Sequence, residues 1–233
     1  MPLNKAKIIE QIKLTEDVFE IKLETVTPFN FQAGQFITIK VADKTPPCFR
    51  AYSIKSAPEE NGKNLEICYK FLPGGRGSTW LRALKSNDTI EFLGPSGKFT
   101  YKGEKNKNLF VATGTGVAPF NAIIENELKK GNKKPLHLLF GVRHIKDIFY
   151  KNFFENLAKK YTNFRFDLTL SRPETEKWQG LNGRVTKILE AMQIDTKNTE
   201  VYICGLKDMI EEVTVLLKNK GVKEEAIHFE KYD

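Results

Sequence analysis

Two glycine turns and two strand ends carry the residue types in this chain that could grip a phosphorylated ligand and set reactive groups beside it. In Arg50-Ala51-Tyr52-Ser53 a guanidinium, an aromatic ring and a hydroxyl fall on or beside one strand. The two-residue period puts Arg50 and Tyr52 on one face and Ser53 on the other, unless the strand ends there. An edge strand with an ion pair would read the same way. Its companion is Pro73-Gly74-Gly75-Arg76-Gly77-Ser78-Thr79, glycines followed by two hydroxyls at a helix start, which is a cradle for phosphate. Asn108 to Lys130 reads as strand, glycine turn and helix: an apolar run, then Gly114, Thr115 and Gly116, then Phe120, Ile123, Ile124 and Leu128 at helical spacing. Glycine lets backbone approach a ligand closely, and the unpaired amides of a helix start attract anions. Cys204 and Gly205 close another apolar run, and Leu206 to Met209 open the helix that follows.

The elements that must position these residues divide the chain into two parts. Residues 5–13, 18–24, 35–41, 49–54, 64–71 and 88–93 read as strands, with one short helix at 78–84. Six such strands can close into a small antiparallel barrel, which hides the sheet edges. Beyond a polar linker at 94–107, strands at 109–112, 136–140, 164–170, 200–204 and 226–229 alternate with helices at about 119–130, 147–160, 184–192 and 207–220. Strict alternation predicts a five-stranded parallel sheet with helices on both faces and ligands at the carboxyl ends of its strands. The expected domains are 1–103, a β-barrel, and 104–233, an α/β domain.

Composition removes several functions. The 233 residues carry a formal charge of +8 as scattered lysines, which suits a solvated surface or an acidic protein partner. There is no helix-turn-helix, zinc-finger or RNA-binding signature, so nucleic acid is not an expected partner. Cys48, Cys68 and Cys204 are too few for an iron–sulfur cluster and fit a reducing compartment better than a disulfide framework. His137, His144 and His228 show no metal-ligand spacing, so no metal is expected. Without a signal-peptide core or a run long enough to span a bilayer, the sequence reads as a cytoplasmic protein.

RAYS, GGRGSTWL, GTGVAP and CGLKDM, in this order and at these intervals, resemble the ferredoxin–NADP reductase family of FAD flavoenzymes, over nearly the whole chain. The resemblance implies that the barrel binds FAD and the α/β domain NADP(H). Arg50 would pair with the flavin pyrophosphate, Tyr52 would lie along the isoalloxazine beside Ala51, and Ser53 would hydrogen-bond near N5. Tyr69, Lys70 and Phe71 would contact flavin or its ribityl chain, and Gly77, Ser78 and Thr79 its phosphates. Gly114, Thr115 and Gly116 would face the nicotinamide nucleotide, with Cys204 beside the reacting C4 and Gly205, Leu206 and Met209 next to it. Ser171 and Arg172 after the third α/β strand, with Arg184 in GLNGRVT and Arg143 in FGVR, resemble the NADP-specific members, since a 2′-phosphate calls for arginines. Glu230 and Tyr232 resemble the glutamate, one residue and tyrosine that finish plant-type reductases. There the aromatic covers the flavin, and Asp233 departs from that pattern by one residue.

The activity so implied is hydride exchange between NADPH and flavin, then single-electron transfer to a small acidic carrier, ferredoxin or flavodoxin. Alternatives are a reductase of free flavin or ferric complexes, the reductase component of an oxygenase, and a flavin-binding regulatory or scaffold subunit without turnover.

Overall fold

The computed structural model describes residues 3–42, 44–174 and 178–232. The chain forms two compact units, one up to Tyr101 together with Ala118–Asn126, the other Lys102–Val117 and from Glu127 onward.

The first unit is an antiparallel sheet of β1 (Asn4–Lys13), β2 (Val18–Thr25), β3 (Phe36–Val41), β4 (Cys48–Ser53), β5 (Asn64–Lys70) and β6 (Thr89–Ser96), in the order β4-β3-β6-β1-β2-β5. Helix α1 (Arg76–Ala83) lies between β5 and β6 in sequence. β3 shows why these segments form strands: Ile37, Ile39 and Val41 alternate with less buried neighbours and are fully buried. β1 begins the same way with Ala6 and Ile8 inward, but its register with β2 slips between Ile8 and Glu10. This bulge reverses the phase. Ile9 turns out to solvent, and Gln11 turns in to donate to the Tyr69 hydroxyl at 2.6 Å.

The sheet closes where its outer strands meet. Ile54, just past β4, bridges Ile67 of β5, and the Lys55 amide donates to the Glu66 carbonyl at 2.7 Å. The Lys55 ammonium then spans Glu66 at 2.7 Å and Glu20 of β2 at 3.2 Å. Glu20 is 6% exposed in its side chain and Lys55 14%. Removing one partner of such a pair strands the other charge in low dielectric.

The second unit is a parallel sheet of β7 (Lys107–Thr113), β8 (Leu136–Val142), β9 (Phe164–Leu170), β10 (Leu181–Asn182), β11 (Thr199–Leu206) and β12 (Ile227–Tyr232), in the order β10-β9-β8-β7-β11-β12. The five expected strands are present, and the two-residue β10 extends the sheet beside β9. Its helices are α3 (Lys151–Lys160), α4 (Val185–Ala191) and α5 (Lys207–Asn219), while α2 (Ala118–Lys129), which follows β7 in sequence, is counted up to Asn126 with the first unit. On one face Leu109, Val111, Leu139, Val201 and Ile203 pack with Val185 and Leu189 of α4 and Ile210, Val213 and Leu217 of α5. On the other, Phe154 of α3 meets Phe164 and Phe166 of β9, and Phe110 stacks on Tyr202 with centroids 5.0 Å apart. No helix among the described residues is long and apolar enough to cross a membrane.

The Lys55 clasp and a surface pair give a direct contrast. Lys55→Ala is expected to destabilise the protein by about 3 kcal/mol, because Glu20 loses its counter-charge inside the barrel. Lys22→Ala, which removes an exposed contact to Glu10, is expected to cost less than about 1 kcal/mol. Urea unfolding of the two variants measures the difference, and equal effects would remove Lys55 as the barrel's clasp.

Candidate functional site

In the first unit, β4 and the start of α1 come together. A Cβ built on Gly77 would lie 2.9 Å from Arg50 Cγ and 3.0 Å from the Tyr52 hydroxyl, so the glycine lets the helix start rest on the face that Arg50 and Tyr52 share. Helix α1 has Gly75 at its N-cap with no side-chain cap, so its first amides have no side-chain partner, and Gly77 sets this turn against Arg50. Uncapped amides, an exposed guanidinium and a glycine with no side chain between them fit a pyrophosphate. Burial, with Tyr69 beside it, pushes the Tyr52 phenol up to about 12, against the pull of Arg50, so at neutral pH it is a hydrogen-bond donor. Arg50 and Ala51 are exposed, and Ser53 is buried where β4 ends, in register with Phe36.

The remaining barrel residues serve the site in different ways. The Ser78 hydroxyl is engaged with Leu72 N at 3.0 Å and with the Leu72 and Gly75 carbonyls at 3.2 Å, so it shapes the loop, while Thr79 stays exposed. Tyr69 points into the core and meets Tyr52 edge to face with centroids 6.3 Å apart, which makes it a support for Tyr52. Lys70 pairs with Asp17 at 2.9 Å, and Phe71 carries the Arg82 guanidinium 4.4 Å from its ring centre. Arg76, passed over in the sequence, donates to the carbonyls of Lys44 and Pro46 at 3.1 and 2.9 Å and ties the loop before β4 to α1. Nothing in its surroundings in sequence signals that reach of thirty residues.

In the second unit, strand order reverses between β7 and β11, because β7 continues through α2 toward β8 on one side while β11 follows much later on the other. A crevice opens at the carboxyl ends of such a pair. Gly114 to Val117 form a 3-10 turn there. Gly114 has φ +54° and open space where a side chain would stand. Gly116 is pressed onto β11, since a Cβ would fall 2.4 Å from the Cys204 carbonyl oxygen. Thr115 is half-buried between them. Gly205 is bracketed by Thr113 and Met209, and Leu206 caps α5 without a side-chain hydrogen bond, leaving that helix's first amides at the crevice too.

Strand β12 completes this end. It runs parallel to β11 with Cys204 opposite Glu230 and Leu206 opposite Tyr232. Cys204 is fully buried, and burial together with the Glu230 carboxylate pushes its thiol well up, against a hydrogen bond from the Tyr232 side chain. The thiol is therefore neutral and not a nucleophile at physiological pH. Cys204, Glu230 and Tyr232 thus form one cluster, with Tyr232 held as a sheet residue. Asp233 lies outside the described residues.

The four residues expected at the adenosine end also converge. Val142 O accepts from Ser171 N at 3.0 Å, Arg143 O accepts from Arg172 N at 2.9 Å, and Leu170 O accepts from Gly183 N at 2.8 Å. Arg143, Arg172 and Arg184 accordingly follow the carboxyl ends of β8, β9 and β10, side by side. Arg143 and Arg172 are exposed, and Arg184 makes a long 3.7 Å contact with Glu212.

A barrel with a phosphate cradle and a parallel sheet with a nucleotide crevice define a two-domain flavin and nicotinamide-nucleotide oxidoreductase. Comparison with known proteins agrees: residues 5–101 match the oxidoreductase FAD-binding domain and residues 110–214 the oxidoreductase NAD-binding domain. The chain is 32% identical over 239 aligned residues to ferredoxin–NADP reductase B of Sorangium cellulosum, covering 98% of this chain and 97% of that one. It is 30% identical to the toluate 1,2-dioxygenase electron transfer component of Pseudomonas putida, over 96% of this chain but only 65% of that relative's length. A ferredoxin NADP+ reductase structure from Neisseria gonorrhoeae, with bound FAD and NADP, superposes with a TM-score of 0.87 at 20% identity, covering 99% of both chains. This chain belongs to the ferredoxin–NADP reductase family of FAD-dependent oxidoreductases.

Two substitutions test the barrel site. Arg50→Ala is expected to weaken FAD retention by about 1.5 to 3 kcal/mol, one charge-assisted hydrogen bond. Gly77→Ala is expected to cost about 1 to 3 kcal/mol in FAD affinity, because its methyl must displace Arg50 or Tyr52. Flavin content after dialysis, with FAD titrated back into apoprotein, measures both. Unchanged affinity in both variants would place the flavin phosphates elsewhere.

Proposed function

We propose that this chain oxidises NADPH at the β7–β11 crevice and passes the electrons, through FAD held on the barrel, singly to a small acidic carrier protein such as ferredoxin or flavodoxin. The observation that carries the reading is the Cys204–Glu230–Tyr232 cluster at the crevice, a neutral thiol beside a carboxylate and a phenol, with arginines at the far end of the same carboxyl edge. Bound flavin accepts two electrons as a hydride and can release them one at a time. Gly114 and Gly116 bring main chain to the dinucleotide, and the uncapped start of α5 offers amides to its polar groups. Cys204 gives the nicotinamide an uncharged, polarisable wall, which Glu230 and Tyr232 hold in place. In the barrel, Tyr52 supplies a flat wall and a donor hydroxyl, and Ser53 places a hydroxyl at the end of β4. Arg172 and Arg184 are the reading heads for a 2′-phosphate, with Arg143 beside them. The net charge of +8 favours an acidic carrier.

A second reading is supported by the similarity to the dioxygenase electron transfer component: electrons would then go to an oxygenase system. Anaerobic reduction by NADPH, followed by titration with ferredoxin, flavodoxin and an oxygenase component, separates the two. A protein that stays yellow under NADPH and NADH overturns both.

Nucleotide choice is tested by Arg172→Ala, Arg184→Ala and the double variant. Each lost contact to the phosphate is expected to cost about 1.5 to 3 kcal/mol with NADPH, leaving kcat with NADH nearly unchanged. The ratio of kcat/KM for NADPH to that for NADH should collapse in the double variant. Arg143→Ala separates a contact to the 2′-phosphate from one to the pyrophosphate, which would weaken both nucleotides equally. A wild type that prefers NADH, or a ratio that does not move, would rule these arginines out as selectors.

A further inference from the structure

The face of β11 that carries Cys204 also carries Glu200 and Tyr202 lower down the strand, and the matching face of β12 carries His228 below Glu230 and Tyr232. Glu200, 1% exposed in its side chain, has an unusual number of donors for a carboxylate in a sheet. Its Oε1 meets His228 Nε2 at 2.8 Å, its Oε2 accepts from Glu104 N at 2.9 Å, and the Tyr202 hydroxyl bonds to the same group. The Tyr202 hydroxyl in turn accepts from Lys102 N at 2.9 Å and Gly103 N at 3.4 Å, and its ring lies 5.0 Å from that of His228.

We infer that Glu200, Tyr202 and His228 are positioning residues: together they pin the edge strand β12, and the segment 102–104 that enters this unit, in the register that lays Glu230 and Tyr232 over Cys204. The inference rests on the proposed role of that cluster at the nicotinamide. Among the described residues β12 pairs with β11 alone, so its main chain is held from one side. A one-residue slip would turn His228, Glu230 and Tyr232 to the opposite face together. The buried polar tie opposes that slip, because a shifted strand would leave the Glu200 carboxylate without its imidazole partner in a closed site. Two residues farther along the same face stands Glu230, and two beyond that Tyr232, so the tie acts on the reacting end through a short, stiff piece of strand. Apolar packing holds only the start of the strand: on the opposite face of β12 Ile227 is buried in the cluster beneath α5, whereas Phe229, beside the reacting end, is 49% exposed with the Lys231 ammonium 5.4 Å from its ring centre.

The test reads Cys204 directly, in holoprotein carrying Cys48→Ser and Cys68→Ser so that it is the only thiol. With the strand in register, Cys204 is fully buried and alkylation by iodoacetamide should be slow. His228→Phe keeps a ring on Tyr202 but removes the donor to Glu200, and should raise the alkylation rate at least tenfold. His228→Gln, whose amide reaches about as far as Nε2, should restore it to within about twofold. Glu200→Gln, which keeps the shape, should raise the rate as His228→Phe does, and it decides the matter if His228→Phe does not accumulate. The same variants should reduce flavin more slowly at saturating NADPH with little change in KM, and His228→Gln should recover. Unchanged Cys204 reactivity in both His228→Phe and Glu200→Gln, or His228→Gln as reactive as His228→Phe, overturns the tie. Faster alkylation with an unaffected reduction rate upholds the tie and counts instead against the role given to Cys204, Glu230 and Tyr232 at the nicotinamide.

Discussion

At the crevice of the second unit, main chain rests on main chain. The glycine turn after β7 lies so close to the end of β11 that a single methyl on Gly116 would fall 2.4 Å from the Cys204 carbonyl oxygen. The approach fixes where the crevice can open, since the turn and the strand end reach the same level of the sheet. It also buries Cys204, because nothing larger than a hydrogen stands between the two segments. The closeness of main chain there accompanies the full burial of Cys204, which with Glu230 opposite on β12 keeps the thiol neutral. A backbone that must pass this near another can be built only from glycine, and so the requirement is written in the sequence at one position.

This is why the site was easier to read from sequence than its support. Glycine at a strand-to-helix turn, hydroxyls after glycines and an arginine two residues from a tyrosine are local patterns, and each maps onto one short piece of backbone. Strand β3 is equally plain, because its apolar residues keep the two-residue period throughout, and β5 keeps it except at the buried Cys68. β1 was only partly so: the bulge at Ile9 inverts the alternation in midstrand, and no local feature separates that from a loss of pattern. β10 has no signature in the sequence. Two residues have no period, and what makes Leu181–Asn182 a strand is the edge offered by β9, together with the Thr169 hydroxyl that donates to Gly183 O at 2.7 Å.

The residues with no local signature are those whose partners are distant in the chain. Lys55, Glu20 and Glu66 each look like ordinary surface charge, yet they meet where the barrel closes. Arg76 reaches thirty residues back to a loop, and Glu200 binds both a histidine twenty-eight residues ahead and an amide ninety-six behind. Hydropathy misleads in such cases, since it scores a charge as exposed and cannot know that folding will bring it a counter-charge. In both units these polar contacts sit beside buried isoleucines, Ile54 and Ile67 at the barrel seam and Ile227 at the edge of the parallel sheet, and add a directional tie to that packing.

Charge placement at the crevice fits hydride transfer better than it fits nucleophilic chemistry. A thiolate at Cys204 would attack electrophiles, and burial beside the Glu230 carboxylate suppresses it by making a second negative charge costly there. The same carboxylate has a use on the proposed reading. A nicotinamide ring becomes positively charged when it gives up hydride, so an acidic group nearby stabilises the product side of the step more than the substrate side. On that reading two demands meet in one residue: Glu230 adds to the burial that keeps the thiol protonated, and it would offer a counter-charge to the oxidised ring. Both require it on the face of β12 that turns toward Cys204, and that orientation depends on strand register more than on the identity of any residue in contact with the nucleotide.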